Sequence, residues 1–325
     1  MKLLRHTYYV FFIFLFAGCN NTPEYQVAIE SCSNMPVTRA SATCFVYGAQ
    51  AYIFGGRDSV GKYQSSIYCY DALTDTWSLP IPTPLSPRVN ATSCVVGHEA
   101  FIGLGFNGYY NDTVGYLKDW WKMDLETGEW TRLSPYPNKR TDRAICFTTE
   151  TDIYVGYGFE NRYTRDIFCY HIATNRWDSV DVHAGAFDFP DRSFGGTGAQ
   201  VQGRFFYGTG YKTFSLDWWG EFLPEGGWVT KHRVPHGGRT TAAAAADNCA
   251  IYVIGGFHVG GVGTNAEVLK DIECYDPILD CWQHIGNLPA GRFNHVAFYI
   301  APYIYVGMGD DENFTPTNTL WRYKK

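Results

Sequence analysis

The chain has 325 residues, a formal net charge of −6, 17% aromatic and 18% charged side chains, and 34 glycines. Few charges and many rings and glycines favour short strands and tight turns over amphipathic surface helices, so an all-β chain is expected. With 26 basic against 32 acidic side chains and no run of Lys or Arg, nothing can form a basic stripe along a phosphate backbone, and no nucleic-acid partner is expected.

In chain order the first element is a targeting segment. Lys2 and Arg5 form a positive start and Val10 to Phe16 a short apolar stretch, too short to span a bilayer. Leu15-Phe16-Ala17-Gly18-Cys19 resembles the bacterial lipobox, in which the cysteine is lipidated and becomes the mature N-terminus. The resemblance implies a signal peptide over 1–18, a lipidated Cys19, a tether over 19–24 and membrane attachment through the lipid alone. Nine further cysteines follow, an odd number, so at least one is free or pairs between molecules. Cys44, Cys94 and Cys146 recur at near-equal places, as do Cys69, Cys169 and Cys274, which marks small buried side chains in repeated strands.

From residue 25 onward a unit of about fifty residues repeats six times. Each unit opens on an arginine: Arg39, Arg88, Arg140, Arg192, Arg239 and Arg292. Each then reaches a glycine-ended strand, such as Tyr52-Ile53-Phe54-Gly55-Gly56 or Phe101-Ile102-Gly103-Leu104-Gly105, and arginine to last glycine is 17 or 18 residues in all six. A second pair of strands follows, with seven residues from Tyr70, Met123, Tyr170 and Tyr275 to Trp77, Trp130, Trp177 and Trp282. Unit four keeps Trp228 after a degraded Glu221-Phe222 strand. Four strands per unit follow, joined by hairpin turns such as Leu73-Thr74-Asp75. The sixth unit ends at Leu320-Trp321-Arg322-Tyr323, one strand short, and Tyr25 to Glu30 is placed to supply that strand, since a ring of twisted sheets loses its free edge only when its last blade is completed.

Tyr52-Ile53-Phe54-Gly55-Gly56, Tyr70-Asp71 and Trp77 together resemble the kelch signature, and the resemblance runs from about Tyr25 to the end. It implies a six-bladed kelch β-propeller over 25–325. Gly103 to Gly108 with Tyr116 to Asp124 looks like the repeat of Bacteroidetes-type kelch lipoproteins, which implies a bacterial cell envelope as compartment and no particular activity.

Gly103-Leu104-Gly105-Phe106-Asn107-Gly108 also matches a dinucleotide fingerprint, but it ends a strand and opens no helix, so no nucleotide cofactor is expected. His183, His232, His236 and His258 show no fixed metal-ligand spacing, so neither metal nor other cofactor is expected. For the six arginines two roles are open. By the kelch resemblance they ring one mouth of the channel, where guanidiniums could hold carboxylates; otherwise each pairs with a loop carboxylate or carbonyl and staples its blade. The ligand-binding expectation joins Arg39, Arg88, Arg140, Arg192, Arg239 and Arg292 with the loop aromatics Tyr109, Tyr110, Phe257 and Phe314, facing an envelope protein or an acidic glycan. No catalytic constellation is visible, which points to a tethered binding or scaffolding module; the alternative implied by the resemblance is a carbohydrate-active enzyme of the sialic-acid mutarotase kind.

Overall fold

The computed structural model describes residues 28–108, 115–137, 141–159, 166–182, 193–260 and 265–324. These residues form six four-stranded antiparallel sheets and no helix, and so no helix that could cross a membrane. The sheets are the blades of a six-bladed propeller. Their innermost strands are Ala40–Tyr47, Thr92–Val96, Ile145–Thr148, Thr197–Val201, Ala243–Ala246 and Val296–Ile300. Blade four forms despite its altered hairpin: Phe222 pairs with Trp228 across a turn shortened by Gly227, which takes a φ of 77°.

The last blade is closed by the other end of the chain. Ile29–Ser31 pairs with Leu320–Lys324, setting Ile29 opposite Tyr323 and Ser31 opposite Trp321, and Glu30 accepts a bond of 2.8 Å from Arg322. Of the expected strand the described residues show Ile29–Ser31; Tyr25 to Val27, like the signal segment and Cys19, lie outside the described residues.

The core lies between blades rather than within them. Six clusters of buried side chains fill the six interfaces, for example Tyr252, Ile254 and Ile272 of blade five against Val306, Trp321 and Tyr323 of blade six. Trp120 and Trp219 are fully buried there, and hiding about 200 Å² of ring is worth on the order of 5 kcal/mol as an upper bound. In blades one, three and five the tyrosine and tryptophan of the repeat make a common bracket. Tyr70, Tyr170 and Tyr275 donate to Asp75, Asn175 and Asp280, which sit in the left-handed conformation at the hairpin. The same three acceptors take a backbone N–H from the preceding connection, at Ser33, Ser134 and His232, whose carbonyls receive the indole N–H of Trp77, Trp177 and Trp282. All nine cysteines beyond Cys19 are thiols, and burial pushes Cys44 up to about 12.

Around the channel one residue per blade adopts the left-handed conformation: Ser41, Asn90, Arg143, Gly195, Thr241 and Asn294, with φ between 52° and 66°. That turn of the backbone aims N–H and C=O along the circumference. Ser41 N–H donates to Asn294 O at 2.8 Å, Asn294 to Thr241 at 3.0 Å, Thr241 to Gly195 at 2.6 Å, Arg143 to Asn90 at 3.1 Å and Asn90 to Ser41 at 2.8 Å. A second set crosses the same interfaces: the N–H of Gly56, Gly105, Gly210, Gly256 and Gly309 donates to the carbonyl of Arg88, Thr141, Arg239, Arg292 and Arg39. A Cβ on Gly55 would lie 2.7 Å from Arg88 O, which explains why the strand ends on glycine.

The four repeat arginines among the described residues, Arg39, Arg88, Arg239 and Arg292, are staples in the interior. Arg88 is 1% exposed and forks onto both carboxylate oxygens of Asp119, at 2.7 and 2.9 Å, while donating to Leu104 O and Ser86 O. Arg239 repeats this on Asp271, Gly255 O and Pro235 O. Arg292 donates to Gly291 O and Thr319 Oγ1 and lies 4.8 Å over the Trp321 ring; Arg39 donates to Thr38 O and lies 5.6 Å over Tyr68. Arg88→Ala should therefore cost about 3 kcal/mol, because it leaves a mostly buried Asp119 unpaired, and Arg88→Lys should recover only part, because an ammonium cannot fork. Urea unfolding of the three proteins measures this.

His295, next to the channel residue Asn294, is buried beside the charge of Arg292, and both effects hold its imidazole down to about 3. The unfolded chain takes a proton on this ring near pH 6.5 while the folded chain does not. The contribution is therefore present above pH 6.5 and lost as pH falls towards 3, by about 1.4 kcal/mol per unit in that window. His295→Leu should flatten the fall in urea midpoint between pH 6.5 and 4; an unchanged slope would assign the acid sensitivity elsewhere.

Candidate functional site

The residue after the last glycine of each repeat emerges at the channel mouth: Arg57, Phe106, Phe159, Tyr211, Phe257 and Asp310. Arg57 pairs with Ala40 of the first strand, and each of the others forms a β-bridge to the residue just before the left-handed channel residue of its own blade, so the scaffold sets its direction. Four of the six are aromatic. The two charged ones stand on adjacent blades and pair, Arg57 Nη2 lying 2.6 Å from Asp310 Oδ1.

Beside this pair opens a pocket of about 350 Å³. Its floor is formed by the channel residues Ser41, Asn90, Arg143 and Asn294, and its walls by Tyr63, Phe106, Tyr116, Phe159 and Phe194. Two related polar groups adjoin it: Asp142 lines the pocket, and the fully buried Asp310 lies behind Arg57. Asp310 is held by Arg57 and by Asn294 Nδ2 at 2.9 Å; Asp142 is held by Arg143 Nη1 and by Asn90 Nδ2, each at 2.9 Å. Burial raises the pKa of both carboxyls against the opposing pull of their arginines and asparagines. The guanidiniums remain partly open, with 28% of the Arg57 side chain and 27% of Arg143 exposed. Arg143 lies 5.2 Å over the Phe194 ring, and its Nε, like Asp142 Oδ1, has no hydrogen-bond partner among the described residues. Two cationic forks with donors to spare, walled by rings, can hold a carboxylate or similar anion attached to an apolar or sugar face.

The residues expected from the sequence divide into three groups. Arg39, Arg88, Arg239 and Arg292 are brought near the channel but are buried and engaged within their blades, so they do not project as a ring of free cations into the mouth. Arg140, Arg192, Tyr109 and Tyr110 lie outside the described residues. Phe257 and Phe314 pack with Phe293 at 5.2 to 5.5 Å between centroids and border a different hollow of about 450 Å³ with Glu267, Lys270 and Glu312. The sequence reading passed over Arg57, Asn90, Asp142, Arg143 and Asn294. A signal was present: Arg57 fills the post-glycine position that is aromatic in four units, and Asn90 and Asn294 are asparagines two residues after the repeat arginine, where the chain must turn left-handed.

The KLHDC2/KLHL20/DRC7 Kelch-repeats domain model matches residues 13–210, and the Kelch motif model matches residues 238–289. Kelch-like protein 25 of Xenopus tropicalis is 24% identical over 265 residues, 79% of this chain and 42% of that protein. Kelch domain-containing protein 10 of the same species is 36% identical over 96 residues, 26% of this chain and 21% of that one. The chain thus spans less than half the length of these curated relatives. The solved structure of YjhT superposes with a TM-score of 0.73 over 89% of this chain and 95% of its own at 17% identity, which is a likeness of fold alone. With six four-stranded blades and a family model matching more than half of its length, this chain belongs to the kelch-repeat β-propeller family.

Proposed function

We propose that this propeller is a binding module that takes a carboxylate-bearing ligand, an acidic glycan or an acidic segment of an envelope protein, in the mouth pocket beside Arg57 and Arg143. The observation that carries the reading is the pairing of two partly open guanidiniums with five aromatic side chains on one pocket of about 350 Å³. Arginine forks give orientation to a carboxylate, and the rings bury ligand area at little entropic cost. Arg39, Arg88, Arg239 and Arg292 have no part in this contact; they hold the scaffold that aims the pocket. Attachment to a bacterial envelope through a lipidated Cys19 belongs to the same proposal and rests on Lys2, Arg5 and Leu15 to Cys19.

A second reading, interconversion of the anomers of an acidic sugar, is favoured by one observation. Asp142, whose pKa burial raises, lines the same pocket as the arginines and could exchange a proton with a bound sugar. NMR of anomer exchange with sialic acid tests it, and a rate equal to that in buffer removes it.

Replacing Arg57 and Arg143 together with alanine should lower affinity for an acidic oligosaccharide or peptide by at least about tenfold and reduce its salt dependence. Calorimetry with sialyllactose and a glutamate-rich peptide as probes reads this; affinity unchanged in a folded double variant would sink the assignment. For the anchor, cells fed an alkyne fatty acid should label the wild-type chain and leave Cys19→Ser unlabelled.

A further inference from the structure

On the flank of blade five, away from the mouth, a carboxylate stands where the fold calls for an aromatic ring. Glu273 lies opposite His284 in the register of the outer strands. The matching position, two residues before the residue that faces the last strand's tryptophan or its counterpart, carries Tyr68, Trp121, Phe168 and Trp321 in four other blades and Gly220 in blade four. Glu273 is 0% exposed, so its presence in an interface of rings is not explained by packing.

Its surroundings are those of a ligand set. Oε1 accepts from Nδ1 of His236 at 2.9 Å and from Nδ1 of His284 at 2.8 Å. Oε2 is buried and has no hydrogen-bond partner among the described residues. Two imidazoles thus crowd one oxygen of a buried carboxylate while the other goes unsatisfied, an arrangement that is costly for an anion held by hydrogen bonds alone. The ligand atoms of the three side chains lie within 4.8 Å of one another. Bonds of about 2.0–2.1 Å to a tetrahedral ion separate ligand atoms by roughly 3.3 Å, so a modest spreading of the three would admit one.

The backbone around them is held in place. The segment bearing His236 is tied at one end by Trp282 Nε1 on His232 O and at the other by the buried Arg239 on Pro235 O. Glu273 and His284 face each other on paired strands, with a bulge beside Glu273. His236 is 60% exposed, which leaves the outer side of the cluster open to water or to a fourth ligand. The other cluster of this kind, Asp152, Cys169 and His171, reads differently. There both ring nitrogens of His171 face carboxylates, Asp152 at 2.5 Å and Asp178 at 3.1 Å, and a ring donating from both nitrogens is an ion-pair partner rather than a ligand.

We propose that His236, Glu273 and His284 form a binding site for a divalent transition-metal ion of zinc type, with two imidazole nitrogens and one carboxylate oxygen as protein ligands and a solvent-facing fourth position. The nitrogen and oxygen donors suit Zn²⁺, and Co²⁺ can report on the same geometry.

The test uses the full chain, freed of metal with a chelator and titrated with Zn²⁺ by calorimetry and with Co²⁺ by visible absorption. One equivalent of zinc should bind, the cobalt form should show tetrahedral d–d bands, and zinc should raise the melting temperature. His236→Ala, an exposed position whose loss leaves the fold intact, should weaken zinc binding at least about tenfold, as should His284→Ala. His171→Ala should leave it unchanged. Absence of zinc binding, zinc affinity untouched by His236→Ala and His284→Ala in folded proteins, or loss of binding only on His171→Ala would each overturn the proposal. Because the mouth pocket is separate, failure here would not bear on ligand binding at Arg57 and Arg143.

Discussion

The constraint on which this structure depends is a series of backbone hydrogen bonds around the channel, five of which join successive blades among the described residues. Six twisted sheets must be tied to their neighbours to close, and strands splayed like spokes cannot pair along their lengths. The solution is to turn one residue per blade into the left-handed region, so that a single N–H and a single C=O point sideways to the adjacent blades. Asn90 and Asn294 accept that conformation readily, whereas the β-branched Thr241 pays about 1–3 kcal/mol of backbone strain for it, which neighbours on both sides must hold in place.

The rest of the repeat serves those bonds. The glycines at the end of the second strand bring it within reach of the next blade's carbonyl, that of Arg88, Arg239, Arg292 or Arg39 in four interfaces and of Thr141 in a fifth. Where the repeat reads Gly-x-Gly, the middle residue, Leu104, Tyr157, Thr209 or Met308, itself takes a φ of 57° to 61° and is buried. The arginine side chains then hold carbonyls and carboxylates within their own blades, Arg88 joining Leu104 O to Asp119 and Arg239 joining Gly255 O to Asp271. A guanidinium is suited to this because its planar fork satisfies several acceptors in a space that excludes water.

Charge at the mouth follows a different logic from charge in the scaffold. Arg88 and Arg239 are enclosed and forked onto carboxylates, so they cannot turn towards a ligand without leaving Asp119 or Asp271 unpaired. Arg57 and Arg143 keep part of their surface open beside Asp310 and Asp142, whose pKa values burial raises against the pull of these arginines. Rigid bridges behind the post-glycine residues keep the rings and guanidiniums of this mouth in place before any ligand arrives, and preorganisation of that kind lowers the cost of binding.

The blade count, the four strands of each blade and closure by the N-terminal segment were legible in the amino-acid sequence, because spacing constant over six repeats reports a backbone geometry repeated six times. The arginine at a constant distance from its glycines was legible too, but not its direction: whether a side chain faces the channel or the blade interior depends on one left-handed residue further along, and on an acid such as Asp119 that lies 31 residues away in the chain. Only the closed ring brought Arg57 of the first blade against Asp310 of the last, 253 residues apart, and seated Asp142 between Asn90 and Arg143 of neighbouring blades. In the same way His236 and His284 show no metal-binding spacing in the chain, and meet at Glu273 because a connecting segment and two paired strands converge there. Local spacing determines which elements form, since strand and turn geometry is a short-range property; the chemistry of a site depends on which blades become neighbours, and that is decided when the circle closes.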